Sequence, residues 1–578
     1  MNYLPWLLWL LPLAAAPFAP LVSKARQSAA DWFTVAVAAA TAVIGVYQAL
    51  AFTAPYTAGV STWVSQENLV LQVDVDGISV LMGAFVSLIS FFIVLYSAGY
   101  MRHESGKARY NLLVLLFIGG MLGLVMAGNL IQFYFFWEIV GICSALLIAF
   151  YFEKPEARKG GMKAFVMTRI GDASLLVSIL IIFSTVHSAA FGSVFSAVGS
   201  SALGGNTLLI VGILMLIGAM GKSAQVPLHT WLPDAMEAPT PVTALIHAAT
   251  MVNAGVYLLI RMYPLLAASG AVIYTVFGIG IITALIGGTG ALVEKDFKRI
   301  FAYSTISQLG FMFIAVGIGL PAIALYLLIG HGFFKALIFL SAGSVVEAVG
   351  TRDIEKMGGI GRQMRYTYSA FLISILAMGG LPPLVGFWSK GAITYGAGDF
   401  GLPVAALVVT ASILTSLYSF RALFRVFHGR SRAGLAAKES PALMVVPMLI
   451  LAGFAALAWI PLNQQNLVPL YDTGIPWLSA AVEELAILAA GLLVAYAAFM
   501  WRPDAIASAL AKGGTLAGAR NFVLGGMGFD TVYGGIQKKV VSLGRATTGL
   551  QSGSFGINII LLALTFAFVF ILALAGVL

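Results

Sequence analysis

Long apolar runs alternate with short polar segments from one end of the chain to the other. A helix needs about 20 apolar residues to cross a bilayer, and an open sheet edge cannot face lipid. The pattern therefore predicts an all-α polytopic membrane protein with about 16 transmembrane helices. The predicted spans are residues 4–22, 31–53, 78–100, 111–127, 129–151, 163–187, 207–226, 240–264, 271–292, 298–318, 322–346, 366–396, 402–427, 441–460, 483–501 and 556–578.

Prolines and glycines break this pattern in two places. Residues 225–241 carry four prolines between spans seven and eight, and residues 379–383, Gly-Gly-Leu-Pro-Pro, interrupt span twelve. Paired broken helices in two halves of a chain are typical of inverted-repeat transporters. We therefore expect discontinuous helices 7 and 12 and two inverted five-helix repeats, spans 4–8 and 9–13.

The spans and breaks together predict six regions along the chain. They are helices 1–3 (1–110), the first inverted repeat (111–264), the second inverted repeat (271–427), helices 14–15 (441–501), a cytoplasmic-side segment (502–555) and a C-terminal anchor helix (556–578).

Lys and Arg are distributed unevenly among the loops. The odd-numbered loops hold 27 of the 32 Lys and Arg residues, and the even-numbered loops are nearly free of them, with Arg261 as the exception. Cytoplasmic loops carry an excess of these residues. The odd loops are therefore expected in the cytoplasm and both termini on the outer side. The net charge of +9 follows from this topology and requires no nucleic-acid partner.

Composition supports a membrane protein and excludes several classes of function. The chain is 60% hydrophobic and 10% charged, whereas soluble domains are about 25% charged. The single cysteine, Cys143, excludes a cysteine-built zinc or iron–sulfur site. The sequence has no Walker A motif, so no ATPase site is predicted. The first 22 residues lack a basic start and a cleavage site, and are expected to be a membrane helix and not a signal peptide.

Four ionisable residues in the first half fall inside predicted spans, where a charge at the helix centre costs about 3 kcal/mol. Burial favours a neutral lysine and a nearby carboxylate favours a charged one, so a Lys222–Glu138 pair is predicted to bind and release a proton. Arg169 and Asp172, three residues apart, are expected to neutralise each other or to modulate Glu138. The alternatives are a structural carboxylate at Glu138 and a lysine that reaches the membrane interface at Lys222.

The second half of the chain also carries ionisable residues inside spans. His331 and Lys335 are one turn apart and form a predicted two-site proton wire, which His247 extends. Two histidines on facing helices are also an arrangement that binds haem, although the adjacent Lys335 argues against it. Lys390 follows the second break and is predicted to be the last proton site, or else an interfacial lysine.

Four segments carry a family resemblance: GKSAQVPL at 221–228, PTPVTALIHAATMV at 239–252, DFKRIFAYSTISQ at 296–308 and HGFFKAL at 331–337. They resemble the antiporter-like subunits of respiratory complex I, above all the largest, distal L-type subunit. The resemblance covers roughly residues 70–430. The same family includes Mrp cation/proton antiporter subunits and the membrane arms of related hydrogenases and F420H2 dehydrogenases.

The resemblance implies a proton-translocating subunit of a complex I-like dehydrogenase, in a multi-pass protein of a prokaryotic inner membrane. It implies that the chain holds no redox cofactor and that flavin, iron–sulfur clusters and quinone belong to partner subunits. The implied partners are other antiporter-like subunits and a redox arm. The implied proton-carrying residues are Glu138, Lys222, His247, His331, Lys335 and Lys390, with Arg169 and Asp172 modulating Glu138.

The sequence departs from the L-type pattern at two points. Leu327 stands one turn before His331, where the pattern often has another histidine, so the wire is expected to need an extra water. The lateral amphipathic helix is predicted over residues 529–552, about 36 Å at 1.5 Å per residue, which is short.

Two other functions are consistent with these residues. The first is a subunit of an Mrp-type Na⁺/H⁺ antiporter or an inorganic-carbon transporter without a redox partner. The second is a haem-binding or purely structural membrane subunit.

Overall fold

The computed structural model describes residues 3–64, 69–429, 437–458, 477–501 and 515–548. It divides into two compact units, residues 1–514 and 515–578. Within the first unit the helices are α1 (Leu4–Ala15), α2 (Phe18–Ala25), α3 (Gln27–Ala51), α4 (Gly77–Tyr100), α5 (Lys107–Met126), α6 (Leu130–Ile148), α7 (Pro155–Val186), α8 (Phe191–Gly199), α9 (Gly205–Lys222), α10 (Trp231–Asp234), α11 (Thr240–Ala248), α12 (Met251–Arg261), α13 (Tyr263–Ala267), α14 (Gly270–Val293), α15 (Phe297–Gly317), α16 (Pro321–Val349), α17 (Arg365–Gly379), α18 (Val385–Ala397), α19 (Leu402–Phe427), α20 (Ala442–Leu457) and α21 (Trp477–Tyr496).

The helices confirm a mostly helical, polytopic membrane protein. Among the described residues, twelve helices are long and apolar enough to cross a membrane, and thirteen if the bent pair α1–α2 is one span. The predicted twelfth span is the broken pair α17–α18, and the fourteenth is the shorter helix α20. The predicted span 556–578 lies outside the described residues.

The all-α prediction was wrong between α3 and α4, where the chain forms a β-hairpin. Strand β1 (Tyr56–Val64) pairs antiparallel with β2 (Leu69–Val75). The residues between α5 and α6 pair with the free edge of β2, where the Gly128 amide donates a hydrogen bond to the Gln72 carbonyl at 3.1 Å. A hairpin is possible here because the segment lies between spans, where backbone groups need not be satisfied within one helix.

The end of the hairpin explains the basic residue that departs from the loop pattern. Asp76 caps α4 in a reciprocal capping box with Ser79 and forms an ion pair with Arg261 at the end of α12. The Arg261 guanidinium also lies 5.0 Å from the ring centroid of Phe191. Its charge is therefore neutralised inside the protein.

The centre of the first unit is formed by α11–α12, α15 and α16. The most apolar stretches of these three spans are completely buried, whereas those of the peripheral spans α7 and α19 are less than half buried. Helix α16 packs against α11, α12, α15, α17 and α18. The helices that carry the predicted central residues are therefore the ones best shielded from lipid.

Both predicted breaks are present, and in addition to the bend between α1 and α2 there is a third. Helix α9 ends at Lys222, and an irregular segment with the short helix α10 leads to α11. Span twelve divides between Gly379 and Val385. Span eight also divides, between Ala248 and Met251. No proline lies at this third break, and the sequence analysis missed it.

The second unit contains α22 (Thr515–Leu524) and α23 (Phe529–Thr548). Helix α23 lies within the segment where a lateral helix is predicted. Its exposed apolar residues recur on one face, at Val532, Ile536, Val540 and Leu543. The position of this helix relative to the membrane stays a prediction.

Candidate functional site

The interior of the first unit holds three fully buried lysines. Lys222, Lys335 and Lys390 are each no more than 1% exposed. A charged lysine at the centre of a membrane helix costs about 3 kcal/mol on an insertion scale. Each lysine therefore needs compensation, and the structure provides it in three different ways.

Lys222 is compensated by a carboxylate. Its Nζ lies 3.5 Å from Asp172 Oδ2, and both side chains are buried. The Trp137 indole donates to the other carboxylate oxygen, Asp172 Oδ1, at 2.6 Å, and the Lys222 ammonium lies 5.4 Å from the centroid of that indole. Asp172 is thus held between a cation and a neutral donor, which is the arrangement that stabilises a buried carboxylate.

Glycines allow the helices that carry this pair to approach closely. A Cβ at Gly171 would lie 3.1 Å from the Gly221 Cα, so α7 and α9 meet almost backbone to backbone. A Cβ at Gly141 on α6 would collide with Lys222 Nζ. Small residues at these points are what bring α6, α7 and α9 to one site.

Glu138 forms an ion pair with Arg169, and not with Lys222. The predicted Lys222–Glu138 and Arg169–Asp172 pairs were therefore wrong as direct contacts, because the partners are exchanged. The reason is the geometry of α7. Arg169 and Asp172 are three residues apart, yet Arg169 is 35% exposed and Asp172 only 1%, so the two side chains point to different surroundings. The four charges still form one neighbourhood, since Lys222 interacts electrostatically with Glu138 and Arg169.

Lys335 has no carboxylate partner among the described residues. Its Nζ donates to Ser304 Oγ at 2.6 Å and to the Phe301 carbonyl at 3.3 Å, both on α15. The Ser304 hydroxyl is 2.8 Å from the Tyr418 hydroxyl on α19. The amine is thus held by neutral dipoles at the start of a chain of hydroxyl groups.

The two predicted histidines lie in the same central region. His247 on α11 and His331 on α16 are fully buried, and both interact electrostatically with Lys335. Neither ring nitrogen has a hydrogen-bond partner within the described part of the chain. His247 lies against Phe339, with ring centroids 4.8 Å apart. His331 and Lys335 lie one turn apart on α16, and the proton wire through Lys335 and the two imidazoles stays a prediction.

Lys390 lies on α18, directly after the second break. Its ammonium is 5.1 Å from the ring centroid of Phe311 on α15, two turns beyond the Ser304 that contacts Lys335. Gln308 lies between these two positions on α15, and its amide is 3.5 Å from Thr415 Oγ1. Residues two turns apart on α15 therefore contact the two lysines, Ser304 contacting Lys335 and Phe311 contacting Lys390.

A buried glutamate of α21 acts on Lys390 and was missed by the sequence analysis. Glu484 is fully buried and interacts electrostatically with Lys390. The predicted span began at residue 483, which placed this carboxylate at the membrane surface. The helix begins at Trp477, so Glu484 is two turns inside it. This earlier helix start, directly after Pro476, is not visible in hydropathy alone.

A cavity of about 550 Å³ opens beside the start of α11. Its lining includes Glu237, Lys298 and Arg352, and Lys298 Nζ donates to the Ala238 carbonyl at 2.8 Å. Burial alone would raise the pKa of Glu237. The Arg352 guanidinium, which donates a hydrogen bond to Glu237 at 2.8 Å, contributes to a larger opposite effect, so the pKa lies below its ordinary value. This polar cavity lies next to the span that carries His247.

The described residues form no cluster of three or more His, Cys, Asp or Glu side chains that would hold a metal ion. What the site does offer is a succession of groups that exchange protons. The helices that carry them are in contact. Helix α6 packs on α7 and α7 on α9, and α11 packs on α16, α16 on α18 and α18 on α21. Helix α12, the second half of the span that carries His247, connects the two groups because it packs on both α9 and α16. Ionisable residues within membrane spans mark ion pathways and proton relays.

The fold and the site together define an antiporter-like membrane subunit. The family described as "NADH:quinone oxidoreductase/Mrp antiporter, TM" matches residues 127–415, and the one described as "NADH-Ubiquinone oxidoreductase (complex I), chain 5 N-terminus" matches residues 63–111. The chain belongs to the NADH:quinone oxidoreductase/Mrp antiporter family, which confirms the resemblance seen in its motifs.

Two relatives illustrate the relationship. The F(420)H(2) dehydrogenase subunit L of Methanosarcina mazei is 44% identical over 418 residues, which are 66% of this chain and 62% of the relative. The NADH-quinone oxidoreductase subunit L of Escherichia coli is 42% identical over 416 residues, covering 70% of this chain and 68% of the relative. Among solved structures, the Mrp complex from Dietzia sp. is similar with a TM-score of 0.80 at 25% identity, over 99% of this chain and 63% of that one.

The matched segments cover only part of the length of these relatives. The chain spans less than two thirds of the methanogen dehydrogenase subunit and of the Mrp chain. The two relatives described above are named as L subunits, one of a dehydrogenase and the other of an oxidoreductase.

Proposed function

We propose that this protein is the proton-translocating, antiporter-like subunit of a complex I-like membrane dehydrogenase, an NADH– or F420H2–quinone or phenazine oxidoreductase. The observation that supports this most directly is the line of ionisable side chains within the spans from the partly buried Glu138 to the fully buried Lys390, in a chain of this family. A proton moves along it as neighbouring groups exchange protons, and each arriving charge repels the next.

In this proposal the chain itself carries no redox cofactor. Flavin, iron–sulfur clusters and quinone belong to partner subunits, whose redox chemistry drives the proton movement. The direct partners are other antiporter-like membrane subunits. This follows the names of the relatives, which are subunits of oxidoreductases.

The proposed topology has 16 spans, two inverted five-helix repeats and both termini on the outer side. The alternation of Lys and Arg between loops supports this orientation. The breaks after α9 and between α17 and α18, each next to a buried lysine, support the repeats.

The alternative is a subunit of an Mrp-type Na⁺/H⁺ antiporter or an inorganic-carbon transporter, and the Dietzia Mrp complex is similar to this chain in fold. The higher identity to L-type dehydrogenase subunits favours the redox-driven function. Identifying the co-purifying subunits by mass spectrometry separates the two. Iron–sulfur and quinone-site subunits are expected in the redox case, and small membrane subunits alone in the antiporter case.

The proton-translocation role is tested by Lys222→Met in the intact complex, reconstituted in proteoliposomes. In this variant Asp172 keeps the hydrogen bond from the Trp137 indole and becomes neutral by binding a proton, so the complex is expected to assemble. Without the lysine amine the line is interrupted, so the number of protons taken up per electron is expected to fall at matched redox turnover. The control is Lys159→Met, which makes the same change at an exposed lysine of α7. A wild-type ratio in Lys222→Met would contradict the proposal.

A further inference from the structure

The last helix of the first unit brings a carboxylate to the second broken span. Glu484 on α21 and Lys390 on α18 are 94 residues apart in the sequence, and both are buried. Helix α21 packs on α18 and α19. A glutamate at this depth costs as much as a lysine unless another group compensates for it.

The break in span twelve creates the space that the two side chains share. Gly380 has φ of +86° and no side chain, and a Cβ there would lie 2.8 Å from Glu484 Oε2 and 3.7 Å from Lys390 Cδ. Gly391, the residue after the lysine, lies against the same glutamate, since its Cβ would be 3.6 Å from Glu484 Cγ. Both glycines line the gap between the amine and the carboxylate.

One carboxylate oxygen is anchored and the other is not. Thr394, one turn after Lys390, donates to Glu484 Oε1 at 3.0 Å. Glu484 Oε2 and Lys390 Nζ have no hydrogen-bond partner within the described ranges. The charged residues that act on Glu484 there are Lys390 and its own neighbour Glu483. The second oxygen, Oε2, is the one that lies beside Gly380, on the same side as the stem of Lys390.

This geometry differs from that of a static ion pair. Lys222 touches its carboxylate directly, whereas the Lys390 amine lies over the Phe311 ring of α15. Residue 390 thus stands between α15, which also contacts Lys335, and α21, which carries Glu484. The four-carbon stem of a lysine can reach to either side by a change of rotamer.

We propose that Glu484 accepts the proton that Lys390 releases, and is thus a further proton-transfer residue of this chain. The inference rests on the proposed function. An N–H bond of the Lys390 ammonium breaks and an O–H bond forms at Glu484 Oε2, leaving a neutral amine and a neutral carboxylic acid. The acid then loses its proton to water, and Lys390 takes up another from the side of Lys335.

The test compares two adjacent glutamates of α21 in the intact complex. Glu484→Gln keeps the size and the hydrogen bond to Thr394 but cannot accept a proton. The proton-to-electron ratio in proteoliposomes is expected to fall as far as in Lys390→Met, and the double variant Lys390→Met with Glu484→Gln is expected to fall no further. Glu484→Asp keeps the carboxylate, so its proton-to-electron ratio is expected to fall less than that of Glu484→Gln. The matched control is Glu483→Gln, at an exposed residue, which is expected to pump at the wild-type ratio.

The outcomes separate the inference from the proposed function. A wild-type ratio in Glu484→Gln, with a reduced ratio in Lys222→Met, overturns the inference alone. A wild-type ratio in both variants overturns the proposed function as well.

Assembly on native gels gives a second measurement if Glu484→Gln does not form the complex. Removing one member of a buried pair leaves the other uncompensated, whereas removing both is tolerated. The double variant is therefore expected to assemble, and Glu484→Asp then reports on transport. A double variant that fails to assemble, when Lys390→Met alone assembles, would show that the carboxylate is structural and overturn the inference.

Discussion

Lys222 and Lys335 are both fully buried, yet their surroundings differ in kind. Lys222 has an ion-pair partner, Asp172, at 3.5 Å, whereas Lys335 is held by the Ser304 hydroxyl and a backbone carbonyl. A fixed carboxylate stabilises the charged amine whatever its neighbours do. A site of neutral dipoles stabilises it less strongly and also accommodates the neutral amine. Two buried lysines of the same chain are thus compensated in different ways. A carboxylate neutralises the charge of Lys222, whereas polar groups without a charge hold the amine of Lys335.

The largest effect is expected on removing the compensation at Lys222. Asp172→Asn leaves a buried ammonium without its carboxylate, and breaking a buried pair in this way costs about 3–5 kcal/mol. We expect loss of the assembled complex on native gels. The double variant Asp172→Asn with Lys222→Met is expected to recover assembly but not pumping. Assembly of Asp172→Asn at the wild-type level would show that Lys222 is neutral in the folded protein.

A smaller effect is expected on removing the hydroxyl at Lys335. Ser304→Ala deletes the 2.6 Å hydrogen bond to the amine, and a bond to a charged group contributes about 1.5–3 kcal/mol. The complex is expected to assemble with a lower midpoint of thermal unfolding and a lower proton-to-electron ratio. Ser307→Ala is the matched control, because the Ser307 hydroxyl donates to the Ala284 carbonyl at 2.9 Å and contacts none of the lysines. Equal proton-to-electron ratios in the two variants would mean that Ser304 is only structural.

The smallest effect on stability is expected at the Glu237–Arg352 ion pair, which lies outside the spans. It shows how much a partly exposed pair contributes, against which the two buried lysine sites can be compared. Glu237 is bound by Arg352 beside the polar cavity, and its pKa in the folded protein is below the ordinary value. Its contribution to stability is therefore present above the pKa of the unfolded chain, about 4.3, and is lost as the pH falls through the lower folded value. Glu237→Gln is expected to cost at most about 1 kcal/mol at neutral pH, because the pair is partly exposed.

The pH dependence of the thermal midpoint checks this expectation. The difference between the wild type and Glu237→Gln should shrink as the pH falls below 4. A difference that is independent of pH would assign the effect to packing and not to the charge of Glu237.

Hydropathy and loop charge predicted much of the helical architecture, because long apolar runs have few other stable forms in lipid. They did not predict the β-hairpin before Asp76, since two short strands between spans give little periodicity. The break at Ala249-Thr250 was missed for a related reason, because no proline or glycine marks it. An interruption of a helix that carries neither proline nor glycine leaves no local signal.

The site was predicted by residue type but not by pairing. Buried lysines, histidines and carboxylates stand out in apolar sequence because each is costly there. Which carboxylate serves which lysine depends on helix rotation, and the exchange of Glu138 and Asp172 as partners followed from the two faces of α7. Glu484 was missed because its helix begins six residues before the predicted span.

The contrast between broken and continuous helices has a mechanical consequence. Helix α16 runs without interruption over 29 residues, about 44 Å at 1.5 Å per residue, which exceeds the hydrocarbon thickness of a bilayer. Its neighbours α11–α12 and α17–α18 each divide near the middle of their own length. Rotations of backbone angles concentrate at such interruptions and not within a regular helix. We therefore expect His331 and Lys335 to move little with α16, and any movement that changes their distance to other groups to occur in the half-helices on either side.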